Sequence, residues 1–132
     1  MMEVRIYYED TDAGGVVYYA SYLRYLERGR TEFLRERGLS FSELQERGYL
    51  FPVVHLEIDY HSPAVYDDLI GVETFPLEIG NTSFTLGHRI VRAADGKLLM
   101  DGKLTLVCIG PGMKVKRMPA ELLKVLDLDR PL

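Results

Sequence analysis

Apolar and polar positions follow two different periods along this chain. From Tyr19 to Arg37, the apolar residues Tyr19, Tyr22, Leu23, Leu26, Phe33 and Leu34 recur at spacings of three and four. Arg24, Glu27, Arg28, Glu32 and Arg35 fall mostly off that stripe, which predicts one long amphipathic helix ended by Gly38. Gly29 lies inside the stripe at a cost of about 1 kcal/mol relative to Ala, so another backbone is expected to pass close by. Ser40 to Arg47 reads as a short second helix, with Ser40 as cap and Glu43 in the capping-box position.

Beyond Pro52 the period becomes two. Val54, Leu56, Ile58 and Tyr60 alternate with His55, Glu57, Asp59 and His61, and Pro63 ends this strand. Leu69 to Ile79, Phe84 to Arg92 and Leu98 to Ile109 read as three more strands, with turn signals at Gly80-Asn81 and Asp95-Gly96. A shorter run, Val4 to Tyr8, predicts a first strand before the loop Glu9 to Gly15, and Ala120 to Leu126 predicts a terminal helix. Strands joined by short turns make an antiparallel sheet with one face to be covered, and the long helix is the natural cover. The expectation is an α+β fold in a single domain spanning residues 1–132. A chain of this length buries roughly 68% of its unfolded surface around one core.

Composition narrows the functions open to such a domain. With 47% hydrophobic and 27% charged residues it is an ordinary globular protein rather than a disordered one. A net charge of -4 leaves no footprint for nucleic acid. Cys108, the lone cysteine, lies in the strand-like run Leu104 to Ile109, where a buried thiol in a reducing compartment is expected. No opening signal segment is evident and no apolar stretch approaches the ~20 residues of a membrane helix, so a cytoplasmic protein is expected.

General enzyme signatures are missing: no G-x-S-x-G elbow, no Walker or Rossmann glycine pattern, and no zinc-type Cys/His pairing. His55 and His61 would lie about 20 Å apart along a strand, too far to share one metal ion. His88 alternates with Phe84, Leu86 and Ile90, which favours a hydrogen-bonded core histidine over a catalyst. Glu27 and Glu32 have arginine neighbours and read as surface pairs.

The loop before the long helix is different. Asp12 offers a carboxylate, Gly14-Gly15 permits close backbone approach, and Val17, Tyr18 and Tyr19 lead into a helix start. Unpaired N-H groups and the helix dipole at that start could polarise a carbonyl oxygen. The competing reading is that Asp12 caps a turn and the glycines only allow the bend. Thioesters suit such sparse machinery, because a thiol of pKa near 8.5, by analogy with cysteine, leaves readily as thiolate.

The run Asp10-Thr11-Asp12-Ala13-Gly14-Gly15-Val16-Val17-Tyr18-Tyr19-Ala20-Ser21-Tyr22 resembles the signature of the hotdog-fold thioesterases related to 4-hydroxybenzoyl-CoA thioesterase. The resemblance is strongest to their YbgC-like, Tol-Pal-associated branch. It extends through the arginine-glutamate helix, Tyr60-His61-Ser62-Pro63-Ala64, Gly80-Asn81-Thr82-Ser83-Phe84 and the basic tail. It implies a long helix wrapped by an antiparallel sheet, active sites shared between subunits of a homodimer or homotetramer, and hydrolysis of acyl-CoA without cofactor or metal. Acyl-carrier protein is the alternative thiol carrier. By the same resemblance Asp12 is the catalytic carboxylate, as nucleophile or general base, and the Tyr19 N-H polarises the thioester carbonyl. Gly15, Val17 and Tyr18 would line the substrate, with Thr82 and Ser83 approaching from the facing sheet. Where many YbgC-like members carry histidine this chain has Tyr19, which keeps the backbone donor and loses an imidazole, so the load is expected to fall on Asp12. Arg89, Arg92, Lys114, Lys116 and Arg117, in the fourth strand and the tail, are candidates to meet the coenzyme A phosphates, with solvated surface charge the competing reading for each one. A non-catalytic acyl-CoA binding module and a hotdog dehydratase are the alternatives.

Overall fold

A computed structural model describes residues 1–128. Five strands form one antiparallel sheet in the order β1-β3-β4-β5-β2: β1 Met2–Arg5, β2 Val53–Tyr60, β3 Leu69–Ile79, β4 Ser83–Arg92 and β5 Leu98–Val107. β1 pairs antiparallel with the start of β3, Met2 opposite Val72 and Arg5 opposite Leu69. Three helices accompany the sheet, α1 Ser21–Glu36, α2 Phe41–Glu46 and α3 Ala120–Leu128. The period-based elements are all present, and the differences between expectation and structure lie at their ends.

Two such differences flank the Asp12 loop. β1 stops at Arg5, because Tyr8–Asp10 form a 3-10 turn that the Asp10 carboxylate fastens by accepting from the Tyr7 N-H at 2.8 Å. α1 begins at Ser21, two residues later than its apolar stripe suggested, and leaves Tyr19 63% exposed outside the helix. Ser40 caps α2 as expected, its side chain accepting from the Glu43 N-H at 3.3 Å.

The described chain divides into two compact units. The first comprises Met1–Glu32, Ile58–Thr74 and His88–Gly102. Its core holds Ile6, Tyr25, Leu26, Ile70, Ile90, Leu99 and Met100, each no more than 1% exposed. Gly29 of α1 explains itself here: a Cβ would lie 2.9 Å from both Thr74 Oγ1 and Val72 Cγ1 of β3. The close neighbours are therefore two side chains rather than the backbone anticipated.

The second unit comprises Phe33–Glu57, Phe75–Gly87 and the chain from Lys103. Leu44, Phe84, Leu86, Leu104, Leu106 and Leu122 form its core, with Phe51 stacked edge-on between Phe41 and Phe84. Cys108 is buried there, and desolvation pushes its thiol above the ordinary range. β2 is the exception to burial. Every residue of it except Ile58 is exposed, on both faces, although its alternation had suggested one buried face.

Candidate active site

The loop from Asp10 to Tyr19 is built almost entirely from its own short-range bonds. Asp12 N-H donates to the Val16 carbonyl at 2.9 Å and Gly15 N-H returns to the Asp12 carbonyl at 3.0 Å. The turn between them puts Gly15 at φ 81°, the left-handed region where a glycine is favoured. Bridges Thr11 to Val17 and Val16 to Val65 close the loop and fix it to the chain leading into β3.

Asp12 does cap this turn, since its Oδ1 accepts from the Gly14 N-H at 2.8 Å. The capping reading and the catalytic reading are compatible, however. The carboxylate has two oxygens, and among the described residues Oδ2 carries no hydrogen bond. One oxygen orients the side chain and the other remains for chemistry on an exposed surface.

Tyr19 presents the second element. Its backbone N-H donates to no acceptor among the described residues, while its neighbours are anchored: Tyr18 N-H to the Asp10 carbonyl at 2.9 Å, and Ser21 N-H to the Tyr18 carbonyl at 2.8 Å. The carbonyl of Tyr19 is held in turn by the Tyr60 hydroxyl at 2.7 Å. An N-H left unpaired at the entrance to a helix, on a backbone fixed on both sides, is the kind of donor that stabilises negative charge on an incoming oxygen.

Asp10, Arg24 and Tyr60 support the loop and were not singled out from the sequence. Asp10 is 7% exposed, and its Oδ1 meets Arg24 of α1 at 3.0 Å. Arg24 also reaches the Ser21 hydroxyl at 3.3 Å, so the start of α1 and the loop share one cation. The helical spacing of Ser21 and Arg24 was a visible signal; the partner Asp10 was not. Tyr22 is 3% exposed and its hydroxyl accepts from the Ala64 N-H at 3.1 Å. Burial pushes the phenols of Tyr22 and Tyr60 above the ordinary tyrosine range, keeping both protonated.

The other expected site residues are placed as follows. Gly15 makes the turn, Val17 is buried, and the exposed rings of Tyr18 and Tyr19 lie 4.8 Å apart, the Tyr19 hydroxyl raising the Tyr18 phenol. Thr82 and Ser83 belong to the second unit, at the β3–β4 turn, where the Thr82 carbonyl accepts from the Cys108 N-H at 2.7 Å and the Ser83 carbonyl from the Gly80 N-H at 2.8 Å. Arg92 is spent internally on Asp68, Asp95 and the Pro63 carbonyl. Lys116 reaches the Gly48 carbonyl and stacks over Tyr49, whereas Arg89, Lys114 and Arg117 are exposed.

Comparison with known proteins adds to this geometry. A family model described as the Thioesterase-like superfamily matches residues 6–126. The acyl-CoA thioester hydrolase YbgC of Escherichia coli is 40% identical over 120 residues, which cover 90% of this chain and 89% of that protein. The acyl-CoA thioesterase YbgC of Haemophilus influenzae is 42% identical, over 90% of this chain and 88% of its own. Among solved structures, a 1,4-dihydroxy-2-naphthoyl-CoA thioesterase from Synechocystis superposes with a TM-score of 0.89 at 28% identity, covering 98% of this chain and 97% of that one.

Sheet, helices and relatives together define a thioester hydrolase with the hotdog fold. Within that class, the chain belongs to the Thioesterase-like superfamily.

Proposed function

We propose that this protein hydrolyses an acyl-CoA thioester to the free acid and coenzyme A, with Asp12 as its catalytic carboxylate and the Tyr19 N-H as the donor to the thioester carbonyl. The observation that carries this reading is their common loop: a carboxylate fixed through Oδ1 with Oδ2 left over, seven residues before an N-H with no acceptor. The carbonyl oxygen would accept from Tyr19 while Asp12 attacks the carbonyl carbon, or a water that Asp12 deprotonates does so. The thiolate departs without an acid because a thiol of pKa near 8.5 is a good leaving group.

In this reading Gly15, Val17 and Tyr18 border the reacting group, and the site is completed by a second copy of the chain in a homodimer or homotetramer. β2 supports an oligomer, since it ends the sheet and exposes Val53, Val54, Leu56 and Tyr60 to solvent in the single chain. Thr82 and Ser83 would reach the substrate from the partner. The chain acts as one domain in the cytoplasm; no described helix is long and apolar enough to cross a membrane. Coenzyme A is the proposed carrier, and an acyl-carrier protein is tested beside it.

Steady-state thiol release from a panel of aliphatic and aryl acyl-CoAs, with the acyl-carrier-protein thioester in parallel, tests the proposal. Asp12→Asn is expected to lower turnover at least about 100-fold with fold and oligomeric state retained. Undiminished turnover in that variant would remove Asp12 from its role. A wild-type protein that binds the panel and releases no thiol would make the chain a binding module.

A further inference from the structure

A cavity of about 220 Å³ in the first unit is lined by Val17, Tyr22, Tyr60, His61, Ser62 and Pro63. It lies against the Asp12 loop. Val17 belongs to that loop, and Tyr60 reaches from the cavity wall to the Tyr19 carbonyl. Of its lining, the hydrolysis proposed above uses only Val17.

Its polar feature is a histidine paired with a carboxylate. His61 Nε2 lies 2.8 Å from Asp101 Oδ1, and the His61 N-H donates to the Leu99 carbonyl at 2.8 Å, so both ends of the residue are held by β5 and its start. A carboxylate only accepts, so Nε2 carries the proton and Nδ1 is left as the basic nitrogen of the ring. Both side chains are 44% exposed, which lets a proton taken up by the ring pass on to solvent. Asp101 from β5 is the charged group on this ring; the phenols of Tyr60 and of Tyr22 from α1 share the cavity wall, and Arg92 of β4 binds the carbonyl of Pro63, another wall residue.

A carboxylate that attacks a thioester completes only half of a hydrolysis. The Asp12 oxygen bonds to the acyl carbon, the C-S bond breaks, and the thiolate leaves with the electron pair. The resulting mixed anhydride must then be cleaved by water, and Asp12 is by then acylated and no longer a base. We propose that His61, oriented by Asp101, is the general base for that water. The water oxygen bonds to the acyl carbon while one of its protons passes to His61 Nδ1. The bond from the acyl carbon to Asp12 breaks and returns its pair to the carboxylate. The imidazolium, facing Asp101, releases its proton to solvent. This rests on the function proposed above and sharpens it, because it gives Asp12 the nucleophile's part.

The chain's other two histidines are placed elsewhere. His55 is paired with Glu57 of the second unit, and His88 is 1% exposed with its Nδ1 on Thr74.

Pre-steady-state thiol release by the full-length protein, with benzoyl-CoA and hexanoyl-CoA as probes, tests this assignment. His61→Gln is expected to release one thiol per site in a burst, followed by steady-state turnover slowed about 100-fold. Mass measurement of the protein quenched and digested during the slow phase should find the acyl group on the peptide containing Asp12. The wild-type kcat should fall on the acid side of its pH profile as the base is protonated, and that limb should be absent in His61→Gln. Asp101→Asn should keep the burst and slow the steady state less than His61→Gln does, because the base remains and only its orientation is loosened. Unchanged kcat in His61→Gln, or a lowered kcat with no burst and an intact pH limb, overturns the assignment. Asp12→Asn separates the two levels: if it loses both burst and turnover, a failure at His61 leaves the parent reading standing, and if it retains turnover both readings fall.

Discussion

The first unit contains two histidines whose surroundings are opposite in kind. His88 sits in the middle of β4 on the same face as buried Leu86 and Ile90, with Thr74 on one ring nitrogen and no partner in the described chain for the other. Burial, with Arg30 nearby, pushes its pKa down to about 3, so the ring is neutral at any ordinary pH. His61 sits just past the end of β2, exposed at a cavity rim with a carboxylate on its proton. The same side chain is a packed element in one region and a solvent-coupled group in the other. The difference comes from the neighbours each position supplies, which is why a histidine by itself says nothing about catalysis.

The largest effect expected from this contrast is on stability at low pH. Unfolding returns His88 to the ordinary histidine pKa near 6.5, so below that pH the unfolded state takes up a proton that the folded state refuses. Stability should therefore be lost as pH falls from about 6.5 toward 3, by on the order of 4 kcal/mol from this residue. Denaturant titrations at pH 7 and pH 4 check it: the loss should be smaller in His88→Gln than in the wild type. An equal loss in both would place the acid sensitivity elsewhere.

Next in size is the buried support of the loop. Asp10→Ala leaves the Tyr7 N-H without its acceptor and Arg24 with only the Ser21 hydroxyl, and a cost of about 1–3 kcal/mol is expected in chemical unfolding. Turnover should drop as well, since the Tyr8–Asp10 turn sets the start of the Asp12 loop. Tyr60→Phe removes one hydroxyl from the cavity rim and frees the Tyr19 carbonyl. It should cost about 0.5–1.5 kcal/mol at most and act mainly on kcat through the neighbouring N-H. The smallest effect sharpens the comparison from the other side: His61→Gln should melt within about 0.5 kcal/mol of wild type at pH 7, because its side chain is exposed.

Much of the fold was legible because it is written in local periods. β3, β4 and β5 begin and end within about two residues of their alternation, and the Ser40 cap and the Gly96 turn are short-range chemistry. The start of α1 was misplaced because Tyr19 looks like an apolar stripe residue, yet it is exposed, next to Tyr18, whose N-H is tied to the Asp10 carbonyl outside the helix. β2 looked half-buried because alternation reports two faces and not what covers them. Around the site, Asp12 was a candidate from the chemistry of its own loop, and the role of the Tyr19 N-H came only from the family resemblance. Tyr60 with Tyr19 and His61 with Asp101 are separated by some forty residues, and no spacing rule connects them. Only folding brings such pairs together.

β2 also bears on how this protein survives at high concentration. A strand that ends a sheet with bare amides can recruit further chains without limit, growing into fibres. Here Glu57 is flanked by His55 and Lys103 at 3.1 and 3.5 Å, and their pull holds its carboxyl below the usual range. Fixed charges of both signs admit a neighbour that matches them in register and resist any other, so the margin of the sheet is selective rather than sticky.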